Sequence, residues 1–318
     1  MTRIRAIVIA AQDEEIQPVL EQLAALATKP AKLACPVAAA WVAASTSGNI
    51  LILRTGIGLV ATANALGWAM ARFTPKLVVS TGSAGGLAKD IQVGDVVVGT
   101  TYSYGTADAT AFGYVRGQIP GQPEFFTGAT DLIDRCSKDL RRGLMLSGDS
   151  FVTAANVGMT REHFPEALTT DMETTAAAQV CHAWNVPFVS IRCVSDLCGP
   201  EADQDYHIGL DFASAASAKA AIDLLVFLAE PGPSGPSQRF SEDSLIAALL
   251  LLFASVNNLE ATNADDLPDS LRDAVHEQYA SEHPDLIAST LSLIAASRKA
   301  IAEDPTVTLT AKQYDSER

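Results

Sequence analysis

Apolar and polar positions along the first 230 residues group into blocks that predict strands feeding helices. The run Ile4-Arg5-Ala6-Ile7-Val8-Ile9-Ala10-Ala11 is apolar almost throughout, as a strand covered on both faces requires. Ile16, Val19, Leu20 and Leu23 follow it at the spacing of one helix face. Two further strands are predicted over 38–45 and 50–55 around the turn Thr46-Ser47-Gly48-Asn49, then a helix from about 58 to 73 and a strand over 76–80. Residues 93–100 read as another strand, 102–121 as a long loop rich in Gly, Thr and aromatics, and 144–147 as a strand. An apolar helix opens near Glu173, the strand Pro187-Phe188-Val189-Ser190-Ile191-Arg192-Cys193-Val194 follows, and an Ala-rich helix covers about 208–228. Pro231-Gly232-Pro233-Ser234-Gly235-Pro236-Ser237 marks a linker over 231–240. Residues 241–318 read as a helical extension, its helices broken near 257–268 and at His283-Pro284.

Acidic residues sit at three ends of these apolar elements. Glu173 opens a helix, Asp196 ends a buried-type strand, and Asp13-Glu14-Glu15 follows the first strand. Each alone reads as a helix-dipole charge or a loop carboxylate. Together they predict one shared cleft, because α/β proteins collect functional groups at strand ends. Two glycine motifs say less. Gly56-Ile57-Gly58-Leu59-Val60-Ala61 fits a dinucleotide fingerprint, but residues 74–83 hold no acidic side chain to take a ribose hydroxyl. Thr81-Gly82-Ser83-Ala84-Gly85-Gly86 lets backbone amides and the Ser83 hydroxyl approach a ligand; a nucleophile elbow needs Gly at position 81, so Ser83 is not read as a covalent nucleophile.

Seven stretches in order, AAQDEEIQPVL, TGIGLVA, VVSTGSAGGL, DATAFGYVRGQIPG, SGDSFV, DMETTAAAQVC and VPFVSIRCVSD, resemble the 5′-methylthioadenosine/S-adenosylhomocysteine nucleosidases of the purine nucleoside phosphorylase and uridine phosphorylase superfamily. The likeness runs over about residues 3–230. It implies a three-layer α/β phosphorylase/hydrolase-like fold with a central mixed sheet, and a homodimer with pockets shared across the interface. The implied substrate is a small adenine nucleoside with a 5′-thio substituent. Glu15, Glu173 and Asp196 match the catalytic carboxylates: Asp196 protonates adenine N7, Glu15 positions and deprotonates the attacking water, and Glu173 grips the ribose hydroxyls.

By the same resemblance, Met172 lies under the sugar and Ile57 against the ribose substituent. Phe151 stacks on adenine while backbone groups of Val152 read its edge. Ser83, Ala84, Gly85 and Ser195 belong to the substrate pocket, and Arg192 supports it. Ala109, Phe112, Tyr114 and Pro120 match a loop that closes the neighbouring subunit's pocket. Three departures bear on substrate choice. The loop 197–206 is longer than the family pattern, Leu210 stands where an aromatic usually caps the pocket, and Gly105 replaces a His. A pocket wider at the thio end is expected, suited to S-adenosylhomocysteine or open to 5′-deoxyadenosine or aminofutalosine.

The 318-residue chain is 48% hydrophobic, enough for a substantial core, and its net charge of −15 argues against binding nucleic acid or an anionic membrane. Residues 231–318 hold 14 acidic and 6 basic side chains, a net of −8, so this quarter of the length carries about half the excess charge. Cys35, Cys136, Cys181, Cys193 and Cys198 form no CxxC pair and read as reduced residues of a cytoplasmic protein. The N-terminus lacks a signal-peptide pattern, and the longest apolar run, 245–254, is too short to cross a bilayer. No cofactor and no metal are expected. The histidines at 163, 182, 207, 276 and 283 make no ligand cluster, and His182 and His207 read as structural or rim residues.

Cleaving an N-glycosidic bond builds positive charge on the sugar and negative charge on the base, which suits carboxylates at the ring and an acid at the base. The nearest alternative, a phosphorylase of the same fold, needs cationic donors for phosphate. Val79-Ser80-Thr81-Gly82 and Ala11-Gln12-Asp13-Glu14-Glu15, where that superfamily places arginines, contain none. A non-catalytic binding or storage protein would be expected to have lost carboxylates that remain here.

Overall fold

The computed structural model describes residues 2–26, 29–45, 48–199 and 202–227. The predicted linker and acidic helical extension lie outside these residues. In chain order the elements are β1 (Thr2–Ile4), β2 (Ala6–Ala10), α1 (Asp13–Leu26), β3 (Ala31–Leu33), β4 (Ala39–Ala43), β5 (Ile50–Arg54), α2 (Leu59–Met70), β6 (Phe73–Pro75), β7 (Val78–Gly86) and β8 (Val96–Tyr104). After a short 3₁₀ turn (Thr110–Phe112) come β9 (Phe126–Thr127), α3 (Thr130–Ile133), β10 (Arg141–Ser147), α4 (Val157–His163), β11 (Ala167–Asp171), α5 (Thr174–Ala183), β12 (Phe188–Asp196) and α6 (Ala202–Phe227).

The larger sheet is mixed, in the order β11-β10-β8-β12-β7-β2-β5-β4-β3, with β9 beside β8. Its centre, β12-β7-β2-β5, is parallel, and every residue of β2 and β12 is buried. That is the burial a strand sandwiched between helices shows. Alternate side chains of β2 divide between the two faces. Ala6, Val8 and Ala10 join Ile16, Val19 and Leu23 of α1 and Ala218, Ile222 and Leu225 of α6 in one core cluster. Ile7 and Ile9 are buried toward the other face, and α2 packs against α5.

The sheet curls until β11 closes on β7, with Thr169 opposite Gly86 and Thr170 opposite Gly85. This closure is possible because β7 ends in small residues, 82–86, that admit a strand at close range. The segment 81–86 is therefore strand, where the sequence suggested small residues finishing a strand that ends at 80. Two other boundaries move. Tyr102, Ser103 and Tyr104 belong to β8, so the following loop starts at Gly105; α6 begins at Ala202, so the long loop after Asp196 is shorter than expected. Among the described residues no helix is long and apolar enough to cross a membrane. All five cysteines are free, and four are buried.

Candidate active site

A cavity of about 310 Å³ lies where β2, β7, β11 and β12 end. Glu15, Glu173 and Asp196 all line it, each less than a tenth exposed. The three acidic ends singled out in the sequence do share one cleft.

Glu15 sits in the first turn of α1, two residues beyond the start of the helix. Its Oε2 accepts the Ala11 and Gln12 backbone N–H groups at 3.0 and 3.3 Å, and its Oε1 accepts the Ser83 N–H at 2.8 Å and the Ser83 hydroxyl at 2.9 Å. Four donors from two elements fix the carboxylate. Gly82 is needed for this arrangement: its φ is +149°, and a Cβ there would lie 2.5 Å from Glu15 Oε1 and 2.6 Å from Arg192 Nη1.

Glu173 occupies the N-cap position of α5, and its Oε1 accepts the Gly58 N–H at 3.0 Å at the start of α2. The carboxylate thus meets the N-terminus of α2, where the helix dipole favours negative charge, and leaves the first N–H groups of α5 to Asp171. Burial nevertheless pushes its pKa above the usual carboxylate range; Arg192 opposes that shift, and Asp171 and Glu15 add to it. Asp171 ends β11 and turns the chain into α5. Its Oδ1 accepts the Glu173 and Thr174 N–H groups at 3.0 and 2.9 Å and the Ser147 hydroxyl at 2.6 Å, and its Oδ2 accepts the Thr174 hydroxyl.

Arg192 lies under this cluster and is 1% exposed. Its guanidinium donates to Ser80 Oγ at 3.0 Å, Ser83 O at 3.3 Å and Thr174 Oγ1 at 3.3 Å. It faces Asp171 at 3.3 Å, Glu173 at 3.5 Å and Glu15 at 3.9 Å. One cation serves three carboxylates. Burial pulls its own pKa down, and the three anions together more than reverse this. Its place among substrate-binding residues is corrected: Arg192 does not line the cavity, because its donors are spent beneath the floor.

Asp196 ends β12. Its Oδ2 accepts the Ser195 hydroxyl at 3.0 Å and its Oδ1 the Cys198 N–H at 2.9 Å. Cys198 points that N–H by taking a left-handed conformation, φ 55°. Phe151 and Val152, on the loop after β10, line the cavity with Met172, Ile57, Ser83, Ala84, Gly85 and Ser195.

One residue expected at this pocket is not brought in, and the four expected at the neighbouring subunit's pocket lie outside this chain's own. Leu210 is buried in α6 and does not line the cavity; the wall residue of that helix is Tyr206, one turn earlier. Ala109, Phe112, Tyr114 and Pro120 lie on the segment after β8, outside the cavity, with Phe112 83% exposed. Conversely, Gln12, Asp171, Cys198 and Tyr206 line it and were given no role from sequence. Asp171 carried a signal, since an Asp just before a helix bonds the N–H groups two and three residues on. Tyr206 carried none, being read as loop. Its hydroxyl accepts from the Gln12 side-chain amide, and its ring meets Phe151 edge-on at 5.7 Å. Burial and the nearby carboxylates push its pKa up against the pull of Gln12, so it stays a neutral hydroxyl.

Residues 5–229 match the family description "Phosphorylase superfamily". A curated 5′-methylthioadenosine/S-adenosylhomocysteine nucleosidase from Hydrogenovibrio crunogenus is 37% identical over 189 residues, 57% of this chain and 82% of that protein. The chain belongs to the methylthioadenosine/S-adenosylhomocysteine nucleosidase family of the phosphorylase superfamily. Solved nucleosidases agree in fold. The S. pneumoniae nucleosidase with the transition-state inhibitor MT-ImmA superposes with a TM-score of 0.66 at 29% identity, covering 71% of this chain and 100% of that one. The Neisseria meningitidis nucleosidase in complex with methylthio-immucillin-A gives 0.65 at 35% identity, covering 71% and 99%. Among the described residues the cavity lining contains no Lys or Arg and four acidic side chains, Glu15, Asp171, Glu173 and Asp196.

Proposed function

We propose that this protein hydrolyses the N-glycosidic bond of 5′-thio-substituted adenosines, methylthioadenosine and S-adenosylhomocysteine, to adenine and the thioribose. The observation that carries the reading is the convergence of Glu15, Glu173 and Asp196 on one cavity whose lining offers no cation. In the proposed reaction, Asp196 gives a proton to adenine N7 as the C1′–N9 bond breaks and its electron pair moves into the base. Ser195 and the Cys198 N–H hold the carboxyl in place. Water held by Glu15 attacks C1′ and yields a proton to that carboxylate. Glu173 accepts hydrogen bonds from the ribose hydroxyls, and Phe151 stacks on the base. Met172 and Ile57 enclose the sugar and its substituent. Phosphorolysis is disfavoured, since a phosphate in this cavity would meet carboxylates and no cationic side chain.

The protein acts as a cytoplasmic homodimer in this reading. The exposed Phe112 and Pro120, with Ala109 and Tyr114, fit a segment that completes the neighbour's pocket, and five free cysteines suit a reducing compartment. The deciding experiment is product analysis with methylthioadenosine, S-adenosylhomocysteine and adenosine, each with and without phosphate. Free adenine and unphosphorylated sugar, independent of phosphate, are expected. A sugar 1-phosphate formed only with phosphate would establish the phosphorylase instead.

A further inference from the structure

The carboxyl proposed as the acid depends on an N–H in an unusual setting. Asp196 Oδ1 accepts the Cys198 N–H at 2.9 Å, and Cys198 offers it from a left-handed backbone, φ 55°. A residue with a side chain keeps that conformation only where its surroundings enforce it. Part of the enforcement is packing. The Cys198 side chain is buried in a cluster with Leu87, Leu146, Phe164 and Ala167, and a Cβ on Gly85 would lie 2.5 Å from its Sγ. The rest comes from a guanidinium. Arg161, on α4, donates from Nε to Leu87 O at 2.8 Å, and from Nη2 to Gly86 O at 3.4 Å and Leu197 O at 3.3 Å. It thereby fastens the segment after Asp196 to the end of β7.

Leu197 O and the Cys198 N–H belong to one peptide unit. That unit is trans, so its carbonyl and its N–H point opposite ways, the first to Arg161 and the second to Asp196. Because the peptide is planar, turning one end turns the other. A cation on the carbonyl also polarises the unit and strengthens its N–H as a donor. We infer that Arg161 is a positioning residue for Asp196, its guanidinium fixing the Leu197–Cys198 peptide and, through it, the carboxyl that protonates the base. The inference rests on the nucleosidase reading. Arg161 does not line the cavity, so it reaches the reaction only through the residues it holds.

The test is a double-mutant cycle in adenine release from methylthioadenosine, with enzyme in excess over substrate so that slow variants are read. Arg161→Met is expected to lower the rate at saturating enzyme about tenfold in the wild-type background, with the half-saturating concentration little changed. In the Asp196→Asn background, where no acid proton remains to be placed, the same change is expected to cost less than about twofold. An equal fall in both backgrounds makes Arg161 a clamp for the fold alone and overturns the inference, as does no fall in the wild-type background. If Arg161→Met does not fold, Arg161→Lys takes its place in the cycle: it keeps the charge, but a single ammonium cannot span Leu87 and Leu197 as the guanidinium does. The same dependence on background is expected of it, and a rate equal to wild type overturns the inference. Asp196→Asn at the wild-type rate overturns the acid role and this inference with it, whereas wild-type protein inert toward methylthioadenosine and S-adenosylhomocysteine overturns the nucleosidase reading itself.

Discussion

Asp196 shows how one residue inherits its chemistry from its place in the chain. It closes a strand buried at every position, and its carboxyl accepts from the Ser195 hydroxyl and from the N–H that Cys198 aims at it. Asp196→Asn keeps the shape and loses the proton; turnover is expected to fall by about 10²–10⁴ with the melting temperature little changed, measured by adenine release and thermal unfolding. Glu173 makes a different prediction. Its raised folded pKa means that the folded protein binds this proton more tightly than the unfolded chain does. The stability it contributes is present at low pH and is lost as pH rises from the ordinary carboxylate range through the raised value. Glu173→Gln removes that loss. The variant should gain stability over wild type on going from about pH 5 to about pH 8, by chemical denaturation, whereas an equal offset at both would show an unperturbed carboxyl.

At the scale of elements, the cluster around Arg192 ties β7, β12, β11 and α5 together. Deleting the cation strands three buried carboxylates, so Arg192→Met is expected to destabilise by about 3–5 kcal/mol, read from denaturant unfolding. The strands that carry these residues were legible in the sequence because short, largely apolar runs such as 6–10 and 188–194 read as buried strands. Glu15 and Asp196 were legible because each follows or ends such a run, and Glu173 because it opens an apolar helix. What was not legible depended on pairing between distant segments. β11 and the strand character of 81–86 arise from each other, Gly85 against Thr170: β11 is only five residues long, and 81–86 is mostly Gly, Ser and Ala, which announce no strand. Tyr206 faces the cavity only because α6 starts early enough to place it there. The nearby aromatic position, Leu210, drew the expectation one helical turn too far along. Arg192 was expected to support the pocket; only the depth of β12 shows that it does so from beneath, outside the lining.

For the whole molecule, the match ends near residue 229, and solved nucleosidases are covered over 99–100% of their length by 71% of this chain. A protein ending at residue 230 is accordingly expected to fold and release adenine, assayed with methylthioadenosine. Failure to fold would make the acidic extension part of the catalytic unit. The curl that brings β11 onto β7 has its own consequence. The cavity floor is joined main chain to main chain where β11 pairs with β7, Thr170 opposite Gly85 and Thr169 opposite Gly86, and the Leu87 N–H donates to Leu168 O at 2.8 Å just beyond. Amide protons there should exchange with deuterium only as fast as the entire fold opens. Product escape then falls to the rim near Tyr206 and Phe151, where a side-chain bond and an edge-on ring contact close the wall.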